Sequence, residues 1–438
     1  LLFFDRSLEA GATPAHVTRD RVLAGGAIAL MAYGDGIYPV PHTAFALLVY
    51  AAVLARVTRS WRPLRSLAWT GATALGLAAA KLLPLAVALR RFPRLIKSDE
   101  AMWPQYLYGV VTWREGDYTA SAPFATGMWH EWGLYLGWPA LVGLVAAVAM
   151  SRGPRERALR WAGLIMLSFV LGGFHPLTPW RLLHLLPVFK SQHVPSRWLY
   201  AAVIFLACAG ASGAERWLRR RGARRPVLEA ALGVGALALA VQMGTVARQP
   251  LAQSFVNPSP SPHSPSAAFH VVHRLPPQPD YVAGLWDVAT LPGVLDNVGT
   301  LECDTDNGLH ITHRNPEGRM PGVGAYGDND PDYRGEAYVA ERAATARVVS
   351  WTPNEVEVQV EGAKPGDHIV LNQNWDAGWN AGTVAAVSYR DAVSTIATSG
   401  SETVRFHYWP RTFVFGLAIT ALTLGAIAFA LRRARRLS

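Results

Sequence analysis

The stretch "LPVFKSQHVPSRWLYAAVIFLACAGASGAERWLRRRGARRP", Leu186–Pro226, decides the fold. Its middle, from Trp198 to Ala214, carries no charged side chain and with its flanks reaches the about 20 mostly apolar residues that cross a bilayer. The two ends differ. One packs Lys190, His193 and Arg197 into eight positions; the other runs through Glu215 into a string of arginines. What those cations meet depends on which side of the membrane each end faces, so topology comes before chemistry.

The rest of the chain repeats the theme. Of 438 residues, 51% are hydrophobic and 16% charged, where soluble domains carry about a quarter charged. Apolar segments of spanning length, or close to it, cover roughly 20–38, 41–57, 67–89, 132–150, 157–174, 197–215, 227–247 and 411–431. "ARVTRSWRPLRS" (55–66), "SRGPRERALR" (151–160), "ERWLRRRGARRP" (215–226) and the tail "RRARRLS" (432–438) are the dense basic loops. With eight spans all four fall on one side, together with "HVTRDR" (16–21), and the positive-inside rule makes that side cytoplasmic. The net charge of +10 therefore reads as membrane topology. It does not read as a nucleic-acid surface, which clusters its cations on one face. Lys190, His193 and Arg197 then lie on the outer side, against the usual bias.

Residues 248–410 are a different material. "NPSPSPHSPS" is a linker without core-forming residues. After it come "ATARVVSW", "EVEVQVEG", "DHIVLNQNW", "STIATS" and "TVRFHYW", short runs with period-two alternation or β-branched content, separated by turn residues. The expected architecture is a polytopic α-helical membrane protein of about eight spans with an extracytoplasmic all-β, sandwich-like domain near the C-terminus. Residues 1–247 form the multi-span part, with outer loops 91–131 and 175–196. Residues 248–410 form the β-domain, and 411–438 the last helix and basic tail. The opening "LLFF" reads as the end of an apolar segment, with further spans expected upstream. Cys208 and Cys303 form no disulfide framework or zinc pattern.

The order of several blocks resembles that of bacterial YfhO-like membrane proteins: "GLAAAKLLPLAVALRR" (76–91), "EWGLYLGWPALVGL" (131–144), "LLPVFKSQHVPSRWLYAAVIFLACAGASG" (185–213), "HIVLNQNWDAGWNAG" (368–382) and "FHYWPRTFVFGLAIT" (406–420). The resemblance implies a GT-C-type glycosyltransferase that moves a sugar from a polyprenyl-phosphate-linked donor to an extracytoplasmic acceptor. Such enzymes carry a catalytic carboxylate in their first outer loop, which the resemblance puts ahead of Leu1. Some use a divalent metal; nothing in this sequence fixes one, and no cofactor is read from it. The alternative is a non-catalytic scaffold or accessory subunit, partnered with membrane lipid and other membrane subunits.

A lipid-linked sugar presents a phosphate at the membrane boundary, and guanidinium forks and helix N-termini are the groups that hold phosphates. Arg181, His184, Lys190, His193 and Arg197 are the expected cradle, with Ser196 as helix cap and Arg197 in the first turn. The bland alternatives are lipid-headgroup contacts or satisfied loop carbonyls. Lys81, within a span, is expected either to reach the phosphate, to pair with Asp35, or to snorkel. Asp35 in "GDG" is a candidate base or an ordinary turn residue. The outer loop offers Asp99, Glu100, Glu115, Asp117, His130 and Glu131 as candidates, with His130–Glu131 the preferred acid–base pair. Trp375 and Trp379 are expected to stack on sugar, to close the β core or to touch the membrane face. "DTDNG" (304–308) and "GDNDPD" (327–332) resemble oxygen-ligand loops, although neither follows a complete calcium pattern.

Overall fold

The computed structural model describes residues 1–9, 11–34, 36, 38–91, 100–113, 132, 134–190, 192–254, 270–272, 298–300, 324–327, 330–352 and 354–437. They fall into two units. One comprises 1–82, 95–256 and 416–438; the other 83–94 and 257–415.

The first unit is helical: α1 (Leu2–Arg6), α2 (Pro14–Tyr33), α3 (Pro39–Thr58), α4 (Arg62–Leu77), α5 (Ala79–Arg91), α6 (Leu107–Thr112), α7 (Gly137–Ala149), α8 (Pro154–Val170), α9 (Pro179–Leu183), α10 (Leu199–Arg219), α11 (Arg225–Ser254) and α12 (Arg411–Arg436), with α5 and α12 running on into the second unit. Prolines open α2, α3, α4, α8 and α9, where the missing N–H is one the helix could not have used. The centre of the unit is α8 packed against α3 and α10, with α7 packed against α10. Ala158, Ala162, Ala202 and Ala209 are fully buried and let the helices approach closely, while Met166, Phe169, Phe205 and Trp198 fill the remaining space.

Charges sort to the two ends of α3. At its C-terminal end, Asp5 accepts from the Tyr50 hydroxyl (2.6 Å) and pairs with Arg155 (3.6 Å). Buried Asp20 is bridged by Arg6 (3.6 Å) and Arg19 (3.2 Å). Glu156 pairs with Arg216 and accepts from the Gly153 N–H, and Arg62 donates to the Glu9 carbonyl (3.0 Å). The N-terminal end holds Tyr38, His42, Glu100, Gln192, His193 and Arg197. The 20 residues of α3 put the ends ~30 Å apart. The loops at 55–66 and 151–160 thus lie at one end, and the 190s at the other.

Among the described residues four helices are long and apolar enough to cross a membrane: Pro39–Thr58, Pro195–Arg219, Arg225–Arg248 and Arg411–Arg436, or five if a bent pair counts as one span. The expected segments 20–38, 132–150 and 157–174 fall on α2, α7 and α8; α7 has 13 residues and α8 has 17. The expected span 67–89 is broken, with α4 and α5 meeting at 80° around Ala78. No proline marks that point. The bend is held by α12, where a Cβ on Gly416 would stand 2.4 Å from the Ala79 carbonyl oxygen. The carbonyls freed at the break find donors: the Thr420 hydroxyl reaches those of Gly76 (3.2 Å) and Leu77 (3.3 Å), and the Tyr33 hydroxyl that of Leu77 (3.0 Å). Lys81 Nζ donates to the Tyr33 carbonyl (3.2 Å), placing a cation on the negative end of α2.

In the second unit, a short parallel pair joins β1 (His270–Val272) and β2 (Val298–Thr300). The others form two antiparallel sheets. One orders β3 (Ala337–Val339), β6 (His368–Asn374), β10 (Ala392–Ile396) and β9 (Val387–Tyr389); the second orders β4 (Thr345–Thr352), β5 (Glu355–Glu361), β11 (Ser401–Tyr408), β7 (Trp379–Ala381) and β8 (Val384–Ala385). Val356, Val358 and Val360 of "EVEVQVEG" are all buried, in one cluster with Val339, Ile369, Leu371, Val393 and Phe406. Asp367 is pinned by Arg342, Nη2 lying 2.9 Å from Oδ1, and accepts from the Lys364 N–H. The Arg342 hydrogen bond holds the Asp367 carboxyl down to about 2 from its ordinary 3.8.

Two outcomes test this account. Gly416→Val forces a branched side chain into the bend, and Thr420→Val strips the Gly76 carbonyl of its hydroxyl donor while Leu77 keeps Tyr33; each is expected to cost about 1–3 kcal/mol, read as a lower Tm in detergent. Asp367→Asn lowers the melting temperature of the β unit at neutral pH. Because the native carboxyl ionises at lower pH than the unfolded one, the wild-type advantage is complete above pH 3.8 and vanishes as pH falls through about 2, which tryptophan fluorescence melts would follow.

Candidate functional site

The site is built around the left-handed turn at Val194. This β-branched residue stands at φ 58°, ψ 73° immediately before Pro195, a region that branched side chains avoid. Residues held there are over-determined by their surroundings. Here the surroundings are explicit. Glu100 Oε1 accepts from the Val194 N–H (3.3 Å), and the Glu100 carbonyl accepts from the Gly173 N–H (3.0 Å). Gly172, at φ +64°, passes so close to the Glu100 carbonyl oxygen that a Cβ would stand 2.2 Å from it. "LGGF" and "HVPS" are thus clamped together through Glu100.

Ser196 does not cap α10. Pro195–Trp198 forms a 3-10 turn, and α10 starts only at Leu199. Proline fixes the first residue of that tight turn, so Arg197 sits one element earlier than in a capped helix. Its guanidinium carbon lies 4.1 Å above the centre of the Tyr38 ring. Stacking engages the guanidinium face, while the N–H donors lie in its plane, the direction from which phosphate oxygens are gripped. His193 presents its edge to the same ring (5.8 Å between centroids) and its Nδ1 to Glu100 Oε1 at 3.4 Å.

Below this layer lies a buried hydrogen-bonded core. His42, 1% exposed, places Nε2 at 2.9 Å from Gln192 Oε1 and Nδ1 at 2.8 Å from the Tyr200 hydroxyl. An amide oxygen only accepts, so the ring proton is on Nε2 and Nδ1 accepts from Tyr200. The ring stacks on Trp198, 4.0 Å between centroids. The Trp198 Nε1 is buried and has no partner among the described residues. In this way α3, the 192–198 loop and α10 lock into one support for Tyr38, His193 and Arg197.

Other expected members go elsewhere. Arg181 gives Nε (3.3 Å) and Nη2 (3.1 Å) to the Gly173 carbonyl, a satisfied loop acceptor. His184 Nε2 meets the Gln192 carbonyl (2.9 Å) with its ring edge on Trp180. These contacts tie Arg181 to the Gly173 turn and His184 to the start of the 192–198 loop. Lys190 is exposed, and Lys81 serves the end of α2. Asp35, Asp99, Glu115, Asp117, His130 and Glu131 lie outside the described residues, as does 304–308. Trp375 and Trp379 pack on the β core, Trp379 also against Tyr408 (5.3 Å). Asp376 braces their loop, accepting from the Gly378 N–H (2.8 Å) and the Tyr408 hydroxyl (3.2 Å). Among the described residues no three His, Cys, Asp or Glu side chains are grouped to hold a metal ion.

Sequence reasoning missed Tyr38, His42, Gln192 and Tyr200. The available signal was "YPVPH", whose two prolines fix a helix start and so aim a polar side chain one turn in. No protein-family model, curated protein or solved structure matches this chain.

His42→Phe keeps the stack on Trp198 but leaves Gln192 and Tyr200 unpaired in a buried place. The expected cost is about 2–4 kcal/mol, measured as a drop in Tm with the fold retained by circular dichroism.

Proposed function

We propose that this chain is an integral-membrane glycosyltransferase of the GT-C type, as the sequence resemblance implies, working on a polyprenyl-phosphate-linked sugar at the end of the helical unit that carries Arg197. The observation that carries the reading is the separation of charge. The arginine-rich loops gather at the C-terminal end of α3, and Arg197 with His193 sits ~30 Å away at the other. By the positive-inside rule the arginine-rich end is cytoplasmic, so the Arg197 end faces outward, the side on which a polyprenyl-linked sugar presents its phosphate. Eight passes satisfy this arrangement when α2, the bent α4–α5 pair, α7 and α8 count beside the four longer helices, and the two β sheets then form a sandwich on the outer side.

In the proposed step an acceptor hydroxyl oxygen attacks the anomeric carbon, the carbon–oxygen bond to phosphate breaks, and the electron pair leaves on the phosphate. Arg197 stabilises that growing charge. The acceptor proton passes to a carboxylate at the same end; among the described residues Glu100 is the one placed beside Arg197 through His193. Gln192, His42 and Tyr200 hold the loop so that the guanidinium keeps its position.

Arg197→Ala is expected to weaken binding of polyprenyl phosphate by about tenfold or more, and to lower transfer from a polyprenyl-phosphate sugar further still. Unchanged lipid-phosphate binding would remove the cradle. Sidedness has its own check: a cysteine replacing Lys190, with Cys208 and Cys303 changed to serine, should react with a membrane-impermeant maleimide added outside intact cells.

A further inference from the structure

The opposite end of the helical unit holds a second cationic cluster that topology alone does not explain. Arg62 and Arg65 lie in the first turn of α4, and Arg21 reaches them from α2. The Arg21 Nε donates to the Ser66 Oγ (3.0 Å); Ser66 is bonded to Ser7 Oγ (2.7 Å), and Ser7 donates to the Phe4 carbonyl (2.7 Å). Ser7 and Ser66 are both completely buried. This relay fixes the Arg21 guanidinium against α4 rather than letting it extend into water.

Among the described residues the charge there has no carboxylate counterpart. The neighbouring Asp20 is already bridged by Arg6 and Arg19. Arg62 gives one donor to the Glu9 backbone carbonyl (3.0 Å). Among the described residues none of Arg21, Arg62 and Arg65 has a carboxylate within ion-pair distance. They also stand at the positive end of a 16-residue helix, where the dipole opposes cations and favours an anion. Three guanidiniums gathered on a helix N-terminus, one of them half-buried and pinned by a buried hydroxyl relay, make an anion site.

The position selects the anion. Thr58 ends the span α3, Arg62 starts α4, and Trp61 between them is 81% exposed, as a side chain at headgroup level is. We infer that Arg21, Arg62, Arg65 and the N-terminus of α4 bind the phosphate of one acidic phospholipid, independently of the site at Arg197.

The probe is phosphatidylglycerol, titrated into the full chain held in phosphatidylcholine nanodiscs, with the first bound molecule counted by native mass spectrometry. Arg65→Gln, a change at an exposed side chain, is expected to weaken that first molecule about fivefold, and Arg21→Gln with Arg65→Gln about 25-fold. Arg436→Gln, a charge in the tail, should leave it unchanged. Equal affinity across wild type, both variants and the tail control overturns the site. So does a wild type that holds no phosphatidylglycerol in preference to phosphatidylcholine. If millimolar inorganic phosphate in pure phosphatidylcholine displaces phosphatidylglycerol from the wild type, the lipid assignment falls and the occupant is free phosphate.

Discussion

A backbone carbonyl or a charged side chain that enters a membrane must bring its partner with it, because hydrocarbon offers none. This constraint organises the helical unit. The break at Ala78 exists because Thr420 and Tyr33 supply hydroxyls to the freed carbonyls and Gly416 lets α12 come close enough to do so. Lys81 is tolerated because it ends on the Tyr33 carbonyl. His42 is buried because both ring nitrogens are answered. Each of these polar groups is thereby also a fastener between segments distant in sequence.

The same rule shapes the two ends. Carboxylates at the C-terminal end of α3 are matched to particular arginines: Asp5 to Arg155, Asp20 to Arg6 and Arg19, Glu156 to Arg216. Among the described residues matching stops at Arg21, Arg62 and Arg65, the site proposed for a phospholipid phosphate. At the other end Glu100 is shared between His193 and the Val194 N–H, while Arg197 rests on an aromatic ring.

How much of this was legible in the sequence follows from the range of each interaction. The alternation of Val356, Val358 and Val360 is local and reads directly as a half-buried strand, and the arginine loops read directly as one end of a bundle. Arg197 stood out because it flanks a long apolar run. Its seat on Tyr38, the partnership of His42 with Gln192 150 residues away, and the grip of Thr420 on Gly76 across 344 residues leave no local periodicity behind. "GLAAAKLL" looks like uninterrupted helix because its break is imposed by another helix. The helix expected to begin with a serine cap begins later, because Pro195 and the Val194 backbone close a tight turn first.

The brevity of α7 has a consequence for the surrounding lipid. Its 13 residues rise only ~20 Å, about 10 Å less than a typical hydrocarbon layer, yet Trp138, Val142 and Val145 face outward. In the proposed eight-pass arrangement acyl chains beside it must shorten or tilt, drawing the two leaflets together on that flank. The carrier lipid of the proposed reaction, passing along that flank, would arrive with its headgroup already sunk below the ordinary water boundary.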